Sequence, residues 1–352
     1  MKKKLYWMIG ILLVIILGII LIFFTQKKKS NEQFPMLTLK GDKIITVKIG
    51  TDYQEPGFEA IDKLDGNITS KVKIENTINP ETPGTYEIIY SVTNSRNITI
   101  KEKRFVKLIL PEAPTYKSSY DNIDNSFQAW GTNNKKNHER SIYKEEESLK
   151  KYHAYLQGPD EKVIYLTFDE GTNETYLGKI VDVLNENNVK ATFFLCKGFI
   201  TNNPELMKTL IETGHSVGNH TANHKHMPTL ATKVNFEKYV NEITSAEKAF
   251  YEITGKEMDK VYREPKGEWS YRSLQIMKDM GYKTYFWSAS YVDFNGTLSK
   301  ETALSYMKER YYNGVIYLMH PTNKGNYDAI GDFIKYMKDL GYRFDLVKNI
   351  PE

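Results

Sequence analysis

From Val163 to the C-terminus, the sequence alternates between short apolar runs and longer amphipathic ones, and this order limits the fold more than any other feature. Runs such as 163–168 and 315–318 have the length of buried strands, whereas 235–254 has the length of a helix. Repeated strand-then-helix order predicts parallel strands joined by crossover helices. Either a β/α barrel or an open sheet satisfies this pattern. The other predicted strands are 191–195, 216–218, 261–263, 284–287 and 343–346, and the other predicted helices are 175–186, 204–213, 270–280, 300–312 and 327–340.

Two carboxylates follow the first of these strands directly. Asp169 and Glu170 stand at the end of an apolar run, where burying them is costly unless they are paired or bound to a metal. A strand-end Asp that caps the next helix is the more frequent explanation of such a residue. The carboxyl ends of barrel strands host active sites, so this position indicates function only if other strand ends contribute.

Two histidines, His220 and His224, are separated by three residues. This spacing predicts both imidazoles on one side of a helical turn, from which two nitrogens can reach one divalent ion. His226 lies close by and is interpreted as a bystander. An isolated pair of this kind is more often structural. Together with an acid in the same α/β unit, the pair predicts a metal site with open positions for water and substrate.

Three further strand ends carry polar or aromatic residues. Arg263 follows a predicted strand and can bind a carboxylate through two parallel hydrogen bonds. Trp287 begins a stretch that brings aromatic surface and a third carboxylate, Asp293. His320 ends the strand that contains Leu318. Each residue has an ordinary structural explanation, and only their joint occurrence in this order indicates an active site.

The region before the α/β segment has the period of β-strands. Apolar residues occupy every second position, as in Tyr86, Ile88 and Tyr90, and turn signals such as Pro83-Gly84 separate the runs. The pattern predicts a β-sandwich of roughly 75 residues and resembles the Ig-like modules of bacterial surface proteins. We interpret it as a spacer; a module that binds glycan or protein is the alternative.

The N-terminus contains an uncharged apolar stretch, residues 5–24, which is long enough to cross a bilayer at about 1.5 Å per residue. Lysines flank it on both sides, so charge does not orient it. It is too long for the core of a cleaved signal peptide and has no small-residue cleavage site. We predict that residues 1–33 form a cytoplasmic tip, an uncleaved signal anchor and a spacer, with the remaining chain outside the membrane.

Charge and cysteine content exclude two classes of protein. The net charge of +4 comes from interspersed Lys and Glu rather than from one basic block, so nucleic acid is not the expected partner. Cys196 is the single cysteine, which excludes an intrachain disulfide. It follows an apolar run and is interpreted as buried packing rather than as a nucleophile.

The motifs taken in order resemble those of polysaccharide deacetylases of the NodB-homology type. Residues 126–162, which precede the first barrel strand, are similar to the lead-in of peptidoglycan muramic-acid deacetylases, which prepare the δ-lactam of spore cortex. The predicted domains are therefore an Ig-like sandwich over 34–112, a linker over 113–125 and a deacetylase domain over 126–352. The matching segments are Thr167-Phe168-Asp169-Glu170-Gly171, His220-x-x-x-His224, Arg263-x-Pro265-x-Gly267, residues 287–294 and Leu318-x-His320.

The resemblance implies a deformed β/α barrel that hydrolyses an N-acetyl group. By position, Asp169 is the general base, Arg263 steadies it, and His320 is the general acid. His220 and His224 are implied to bind a divalent ion, zinc or another, which would polarise the acetyl carbonyl and its attacking water. The remaining matched positions are expected to contact substrate, namely Pro265, Gly267, Trp287, Asp293 and Leu318.

Two positions depart from the family pattern. Glu170 stands where the family usually has Asp, and we predict it as a further metal ligand; binding through water, or only shaping the site, are the alternatives. Ser290 stands where the family has the Asp that commonly tunes the acid His. Asp293 occupies a later position, and a structural role is the alternative for it. The residue that tunes the proton on His320 is therefore left open.

The resemblance and the apolar N-terminal stretch together predict a membrane-anchored enzyme that deacetylates N-acetylmuramic acid in peptidoglycan. Its partners would be glycan strands and the cytoplasmic membrane, and it would act after a muramoyl-alanine amidase in the spore-cortex pathway. The first alternative is deacetylation of N-acetylglucosamine, which alters the lysozyme sensitivity of the wall. The alternative from another class is a non-catalytic protein that binds wall glycan.

Overall fold

The computed structural model describes residues 34–48, 52–80, 84–109, 114–132, 137–171, 176–295 and 297–352. These residues form two units, divided after Glu112. The predicted anchor and spacer, residues 1–33, lie outside the described residues. Among the residues that are described, no helix is both long enough and apolar enough to cross a membrane.

The first unit is a sandwich of two β-sheets. One sheet has the antiparallel order β1-β3-β4, and the other has the order β2-β7-β6-β5, in which β2 and β7 run parallel. The strands are β1 (Met36–Leu39), β2 (Ile44–Lys48), β3 (Phe58–Asp62), β4 (Gly66–Asn67), β5 (Lys73–Asn76), β6 (Gly84–Thr93) and β7 (Thr99–Ile109).

Strand alternation builds the core of this unit. Ile88, Tyr90 and Val92 occupy every second position of β6 and are buried, and they pack against Leu37 and Ala60 of the opposite sheet. The predicted alternation of strand residues between 34 and 112 is therefore present, and the two sheets bury it in one apolar layer.

Two buried charged residues fix the loops of the sandwich. The guanidinium of Arg104 has no exposure and donates to the main-chain carbonyls of Lys40, Asp42 and Gly57. Asp62 is also buried, and it accepts hydrogen bonds from the main-chain N–H groups of Leu64 and Asp65 and from the side chains of Asn94 and Arg96. In both cases the charge is satisfied mainly by groups that set the path of the chain.

The second unit is built on a parallel sheet with the order β16-β10-β11-β12-β13-β15-β9, and β17 also pairs with β10. A two-stranded antiparallel ribbon, β8 with β14, stands apart from this sheet. The strands are β8 (Gln128–Ala129), β9 (Ala154–Tyr155), β10 (Val163–Glu170), β11 (Thr192–Leu195), β12 (Ser216–Asn219), β13 (Val261–Tyr262), β14 (Glu268–Trp269), β15 (Lys283–Tyr285), β16 (Val315–Met319) and β17 (Arg343–Phe344).

The parallel sheet curves into a ring. The chain that leaves β15 pairs with β16, since Ser288 N–H donates to Ile316 O and Leu318 N–H donates to Ala289 O, each at 2.9 Å. Strand β16 in turn pairs with β10, and this pairing completes the ring. The sheet therefore forms the deformed β/α barrel that the resemblance implied, rather than the open sheet that the alternation also allowed.

Helices surround the barrel in the predicted order. The predicted segments 175–186, 204–213, 235–254, 270–280, 300–312 and 327–340 each contain a helix of the described residues, and residue 175 itself lies outside them. The helices are α1 (Glu146–Lys150), α2 (Leu177–Glu186), α3 (Lys197–Asn202), α4 (Pro204–Glu212), α5 (Met227–Leu230), α6 (Phe236–Thr254), α7 (Tyr271–Asp279), α8 (Lys300–Glu309) and α9 (Lys324–Asp339).

Residues 114–125 differ from the predicted linker. Tyr120 is buried in a cluster with Phe236 and Met277, and its hydroxyl donates to Asp279 at 2.8 Å. Asn125 accepts a hydrogen bond from the hydroxyl of Ser270 at 2.7 Å. Because aromatic packing and side-chain hydrogen bonds fix this segment to α6 and α7, it belongs to the second unit.

Candidate active site

The alternation of β10 separates the barrel interior from the helix layer. Val163 and Tyr165 pack inside the barrel, whereas Ile164, Leu166 and Phe168 pack beneath the helices. Thr167 and Asp169 lie on the same interior face as Val163 and Tyr165, and Asp169 is at the carboxyl end of the strand. By the same alternation, Arg263 lies on the interior face with Val261, and His320 lies on it with Ile316 and Leu318. Three of the predicted polar residues therefore meet at one mouth of the barrel, where parallel strands end.

Arg263 and Asp169 form a buried ion pair. The guanidinium has no exposure, and its Nη1 lies 2.7 Å from Asp169 Oδ1 and 2.7 Å from Thr167 Oγ1. Its other nitrogens donate to the carbonyls of Tyr285 and Phe286. Arg263 contacts Asp169 as expected, but the two parallel hydrogen bonds that an arginine can make to a carboxylate are not formed. Only one reaches Asp169, because main-chain carbonyls and Thr167 take the other donors, and Oδ2 therefore points elsewhere.

The second carboxylate oxygen of Asp169 faces His220. Oδ2 lies 3.7 Å from His220 Nε2, while His220 Nδ1 lies 2.9 Å from the carbonyl oxygen of Arg263. A carbonyl can only accept, so Nδ1 carries the proton and donates. The lone pair of the neutral ring is then on Nε2, which is the nitrogen that faces the site.

His224 joins His220 through a loop rather than through the predicted helical turn. Thr221 and His224 both adopt positive φ, 67° and 53°, so residues 220–224 cannot form a helical turn. The loop is closed by a hydrogen bond of 2.9 Å from His224 N–H to Thr221 Oγ1. The two rings nevertheless approach edge to face, with centroids 4.9 Å apart. The pair is therefore formed as predicted, by a different backbone.

Burial favours the neutral form of both imidazoles. It lowers the pKa of His220, and it lowers the pKa of His224 to about 4, where His220 also contributes. Neutral imidazoles are the form that binds metal ions. Two neutral rings side by side, one with its tautomer fixed by a carbonyl, fit the donor set of a divalent ion.

Glu170 does not share the face of Asp169. Consecutive residues of a strand point to opposite faces, so Asp169 points into the mouth and Glu170 points towards the face of Phe168. Glu170 is buried, and its Oε1 accepts a hydrogen bond of 2.9 Å from Gly171 N–H. Within the described ranges, no three His, Cys, Asp or Glu side chains converge closely enough to hold a metal ion. The ligand role of Glu170 stays a prediction.

His320 follows β16, the strand next to β10 in the barrel, and is fixed by Asp293. His320 Nδ1 lies 2.7 Å from Asp293 Oδ1, and His320 N–H donates to Asp293 Oδ2 at 2.7 Å. Burial lowers the pKa of His320, but the hydrogen bond and charge of Asp293 outweigh it, so the pKa is raised above its ordinary value. An imidazole with a raised pKa beside the barrel mouth has the property of a general acid.

The role of Asp293 corrects the sequence-based prediction. We expected Asp293 to contact substrate, with a structural role as the alternative; instead it is only 1% exposed and lies behind His320. Its Oδ2 also accepts from the amide of Asn326, at 2.7 Å. Asp293 therefore tunes the acid His320, which is the role that the family gives to an Asp at the position of Ser290. Asn326 was missed, because nothing in an amphipathic helix sequence marks it as a partner of a distant loop.

The other predicted substrate contacts form the wall of the mouth. Trp287 and Leu318 are each 8% exposed and belong to one apolar cluster. Gly267 adopts a φ of 68°, and a Cβ there would lie 2.7 Å from the ring of Trp287. Pro265, two residues before it, is buried. Only glycine fits at 267, since any side chain would displace the indole.

One support of the site, Glu242, has no signal in the sequence. Glu242 of α6 is 6% exposed and accepts two hydrogen bonds of 2.8 Å from Asn223, one from its main-chain N–H and one from its amide. Asn223 lies between the paired histidines, so Glu242 fixes the loop that presents them. Cys196 is buried as predicted. Its thiol donates to His220 O, and burial raises its pKa to about 12.

Comparison with known proteins identifies both units. Residues 157–285 match the polysaccharide deacetylase family, and residues 37–108 match the Ig-like domain of bacterial surface proteins. The chain is 37% identical over 205 residues to peptidoglycan-N-acetylmuramic acid deacetylase PdaA of Bacillus subtilis, covering 57% of this chain and 76% of that protein. It is 33% identical over 201 residues to a peptidoglycan-N-acetylglucosamine deacetylase of Bacillus cereus, covering 56% and 71%.

Solved structures agree with these matches. The structure of B. subtilis PdaA, a family 4 carbohydrate esterase, aligns with a TM-score of 0.61 and 34% identity, covering 65% of this chain and 98% of that one. A family 4 carbohydrate esterase from Bacillus anthracis aligns with a TM-score of 0.53 and 30% identity, covering 65% and 97%. The barrel and its acid–base groups define a hydrolase that acts on carbon–nitrogen bonds. The chain belongs to the polysaccharide deacetylase family.

Proposed function

We propose that this enzyme removes the acetyl group from N-acetylmuramic acid residues of peptidoglycan. The observation that carries the proposal is the pairing of Asp169 with Arg263 and of His320 with Asp293 at the carboxyl ends of the barrel strands. The identity to PdaA supports muramic acid as the substrate.

The two pairs have complementary acid–base properties. Asp169 is fixed by Arg263 with Oδ2 directed into the site, where it accepts a proton from the attacking water. His320, with its pKa raised by Asp293, protonates the nitrogen of the leaving amine. The amide C–N bond then breaks, and acetate and a free amine are released.

We also propose that His220 and His224 hold a divalent ion. The opposite orientation of Glu170 on β10 favours its alternative role of shaping the site. When bound, such an ion polarises the acetyl carbonyl and stabilises the negative charge that develops on its oxygen. Zinc suits a site that contains two imidazoles. The neutral state of both rings supports this assignment.

The setting of the enzyme is proposed from the sequence. Residues 1–33 would anchor the chain in the cytoplasmic membrane, with both described units outside. Glycan from which a muramoyl-alanine amidase has removed the peptide would then be the substrate, and δ-lactam formation in spore cortex the pathway.

Acetate release tests the substrate assignment. The full-length protein, purified in a mild detergent with added zinc, would be offered peptidoglycan stripped of its peptides and intact peptidoglycan. We expect acetate from muramic acid of the stripped glycan, and no release from Asp169→Ala. Absence of acetate from every glycan with every divalent ion, while the glycan still binds, would leave a wall-binding protein.

Deacetylation of N-acetylglucosamine is the second candidate function. The identity of 33% to the B. cereus N-acetylglucosamine deacetylase favours it, since the same acid and base can serve either sugar. Mass analysis of the digested product separates the two. Acetate lost from glucosamine residues of intact peptidoglycan would select this function.

A further inference from the structure

A short segment before the barrel, residues 125–132, crosses the edge of the mouth; we call it the strap. Its strand β8 pairs antiparallel with β14, and Trp130 N–H donates to Gly267 O at 2.8 Å. The indole N–H of Trp130 donates to Trp287 O at 2.8 Å. The amide of Asn125 donates to Pro228 O at 3.0 Å. Tethered at these points, the strap is fixed along the loops that carry the active site.

The strap presents one exposed aromatic side chain, Phe127. Its side chain is 52% exposed, and its ring lies 5.1 Å from that of His226. His226 Nε2 lies 3.7 Å from Glu268 Oε2. Phe127, His226 and Glu268 thus form one surface that combines an aromatic face, an imidazole and a carboxylate; we call it the rim patch.

The rim patch is continuous with the active site through two chain segments. His226 follows His224 by two residues, and Glu268 follows Gly267 directly. The two segments run close to each other, since His226 Nε2 and Glu268 Oε2 are only 3.7 Å apart. A polymer chain bound with one residue in the mouth can therefore reach the rim patch with a neighbouring residue.

The chemistry of the rim patch fits a sugar ring. An exposed aromatic face packs against the apolar face of a pyranose, and a carboxylate accepts hydrogen bonds from neighbouring hydroxyls. His226 Nδ1 is buried, and it has no hydrogen-bond partner within the described residues. Single exposed apolar residues are ordinary on a surface. Phe127 differs because the strap fixes it beside two polar groups that suit the same ligand.

We propose that Phe127, His226 and Glu268 form a second sugar subsite, which binds a residue of the same glycan chain next to the one in the mouth. This inference rests on the proposed function, because it takes the substrate to be a glycan chain. The subsite makes the enzyme prefer chains over single disaccharide units. Its contribution lies in binding, whereas the mouth performs the chemistry.

Binding of glycan fragments tests the subsite apart from the reaction. Full-length Asp169→Asn would be titrated with peptide-free di-, tetra- and hexasaccharides by calorimetry. We expect the longer fragments to bind more tightly, by about tenfold, which is the size of one aromatic contact. Adding Phe127→Ala should remove this gain, and adding Glu268→Gln should reduce it. Phe127→Trp should keep it, because the indole offers a larger face.

A matched control and two outcomes make the test decisive. Val234 is a 90% exposed apolar residue of another loop, and adding Val234→Ala should leave the gain with chain length unchanged. An unchanged gain in the Phe127→Ala background would overturn the subsite. Failure of the proposed function would look different: the otherwise unaltered chain would release no acetate from any glycan, while the gain with chain length persisted.

Discussion

Two fully buried arginines, one in each unit, show how similar burial serves different ends. Arg104 of the sandwich donates to three main-chain carbonyls, and its nearest carboxylate oxygen, on Glu55, is 3.5 Å away. Arg263 of the barrel also uses two donors on carbonyls, but a third reaches Asp169 at 2.7 Å. Both residues thus bury a charge. The partner distinguishes them, because Arg104 binds main-chain groups that fix the fold and Arg263 binds a carboxylate of the active site.

Buried aspartates repeat the contrast. Asp62 accepts from two main-chain N–H groups and closes a turn of the sandwich. Asp293 accepts from the ring and the main chain of His320 and so sets the properties of an acid. A charge directed at a chain reversal supports stability, whereas a charge directed at a titratable side chain supports catalysis.

The largest effect is expected for Asp169→Asn. The amide cannot accept a proton, and loss of a general base lowers kcat by about 10²- to 10⁴-fold. Arg263 keeps its contacts with Thr167 and two carbonyls but loses its buried counter-ion, so the thermal unfolding midpoint should fall as well. Acetate release and calorimetric scans measure both. Activity near that of the unaltered enzyme would assign the base elsewhere.

Arg263→Lys sharpens the comparison of the two arginines. Lysine has one nitrogen in place of the planar fork, so it cannot bind Asp169 and the carbonyls of Tyr285 and Phe286 together. We expect kcat to fall by about 10²-fold, since the loss of orientation affects the reacting carboxylate. An equal fall in kcat for Arg104→Lys would remove the distinction between the two residues.

Glu242→Gln tests a buried carboxylate that acts through Asn223 on the paired histidines. An amide can still accept one of the two hydrogen bonds, so the loop should loosen rather than unfold. Loss of a group that orients metal ligands typically weakens metal affinity by about 10- to 100-fold. Competition with a zinc chelator measures this affinity directly.

Glu252→Gln is the matched control for Glu242. Glu252 lies on the same helix, where its Oε1 is 3.7 Å from Lys248 Nζ and both side chains are exposed. Its substitution should leave zinc affinity unchanged. Equal losses in both variants would reduce the effect of Glu242 to general stability of the helix.

Asp293→Asn should change the pH profile. His320 acts as an acid only while protonated, and Asp293 raises its pKa, so activity in the unaltered enzyme persists to higher pH. Removing the charge lowers that pKa, and the alkaline limb of kcat against pH should move to lower pH. An unmoved alkaline limb would show that another group supplies the proton.

The smallest effect on activity is expected for Arg104→Lys. Two or more carbonyls of the sandwich lose their donor, and an unsatisfied buried polar group costs about 1–3 kcal/mol. The free energy of unfolding of the first unit should fall by that order, whereas kcat should stay constant. Denaturant titration and acetate release separate the two. A large loss of activity would tie the sandwich to the reaction.

Most of the site residues that could be predicted from the sequence lie at strand ends. Parallel strands bring their carboxyl ends to one edge, so Asp169, Arg263 and His320 could be placed together from the alternation and the motif order. The number of hydrogen bonds within the Asp169–Arg263 pair could not be predicted. It depends on carbonyls of Tyr285 and Phe286, which every sequence possesses and no pattern reveals.

Loops limited the remaining predictions. The spacing of His220 and His224 suggested a helical turn, but Asn219 accepts from Thr221 N–H and Thr221 Oγ1 from His224 N–H, and these local bonds compete with helix formation. The approach of Asp293 to His320 likewise follows from loop conformation and from Asn326. Fold and strand-end chemistry were thus accessible, while partners across loops were not.

The solitary thiol makes this chain convenient for site-specific chemistry. Cys196 is 1% exposed, and its raised pKa keeps the reactive thiolate scarce at neutral pH. Alkylating dyes and nitroxides should therefore pass over it in the native protein. Cysteines introduced at two exposed positions, Glu75 in the sandwich and Val234 in the barrel unit, would carry a pair of probes without background. The natural sequence needs no cysteine removed before spectroscopy begins.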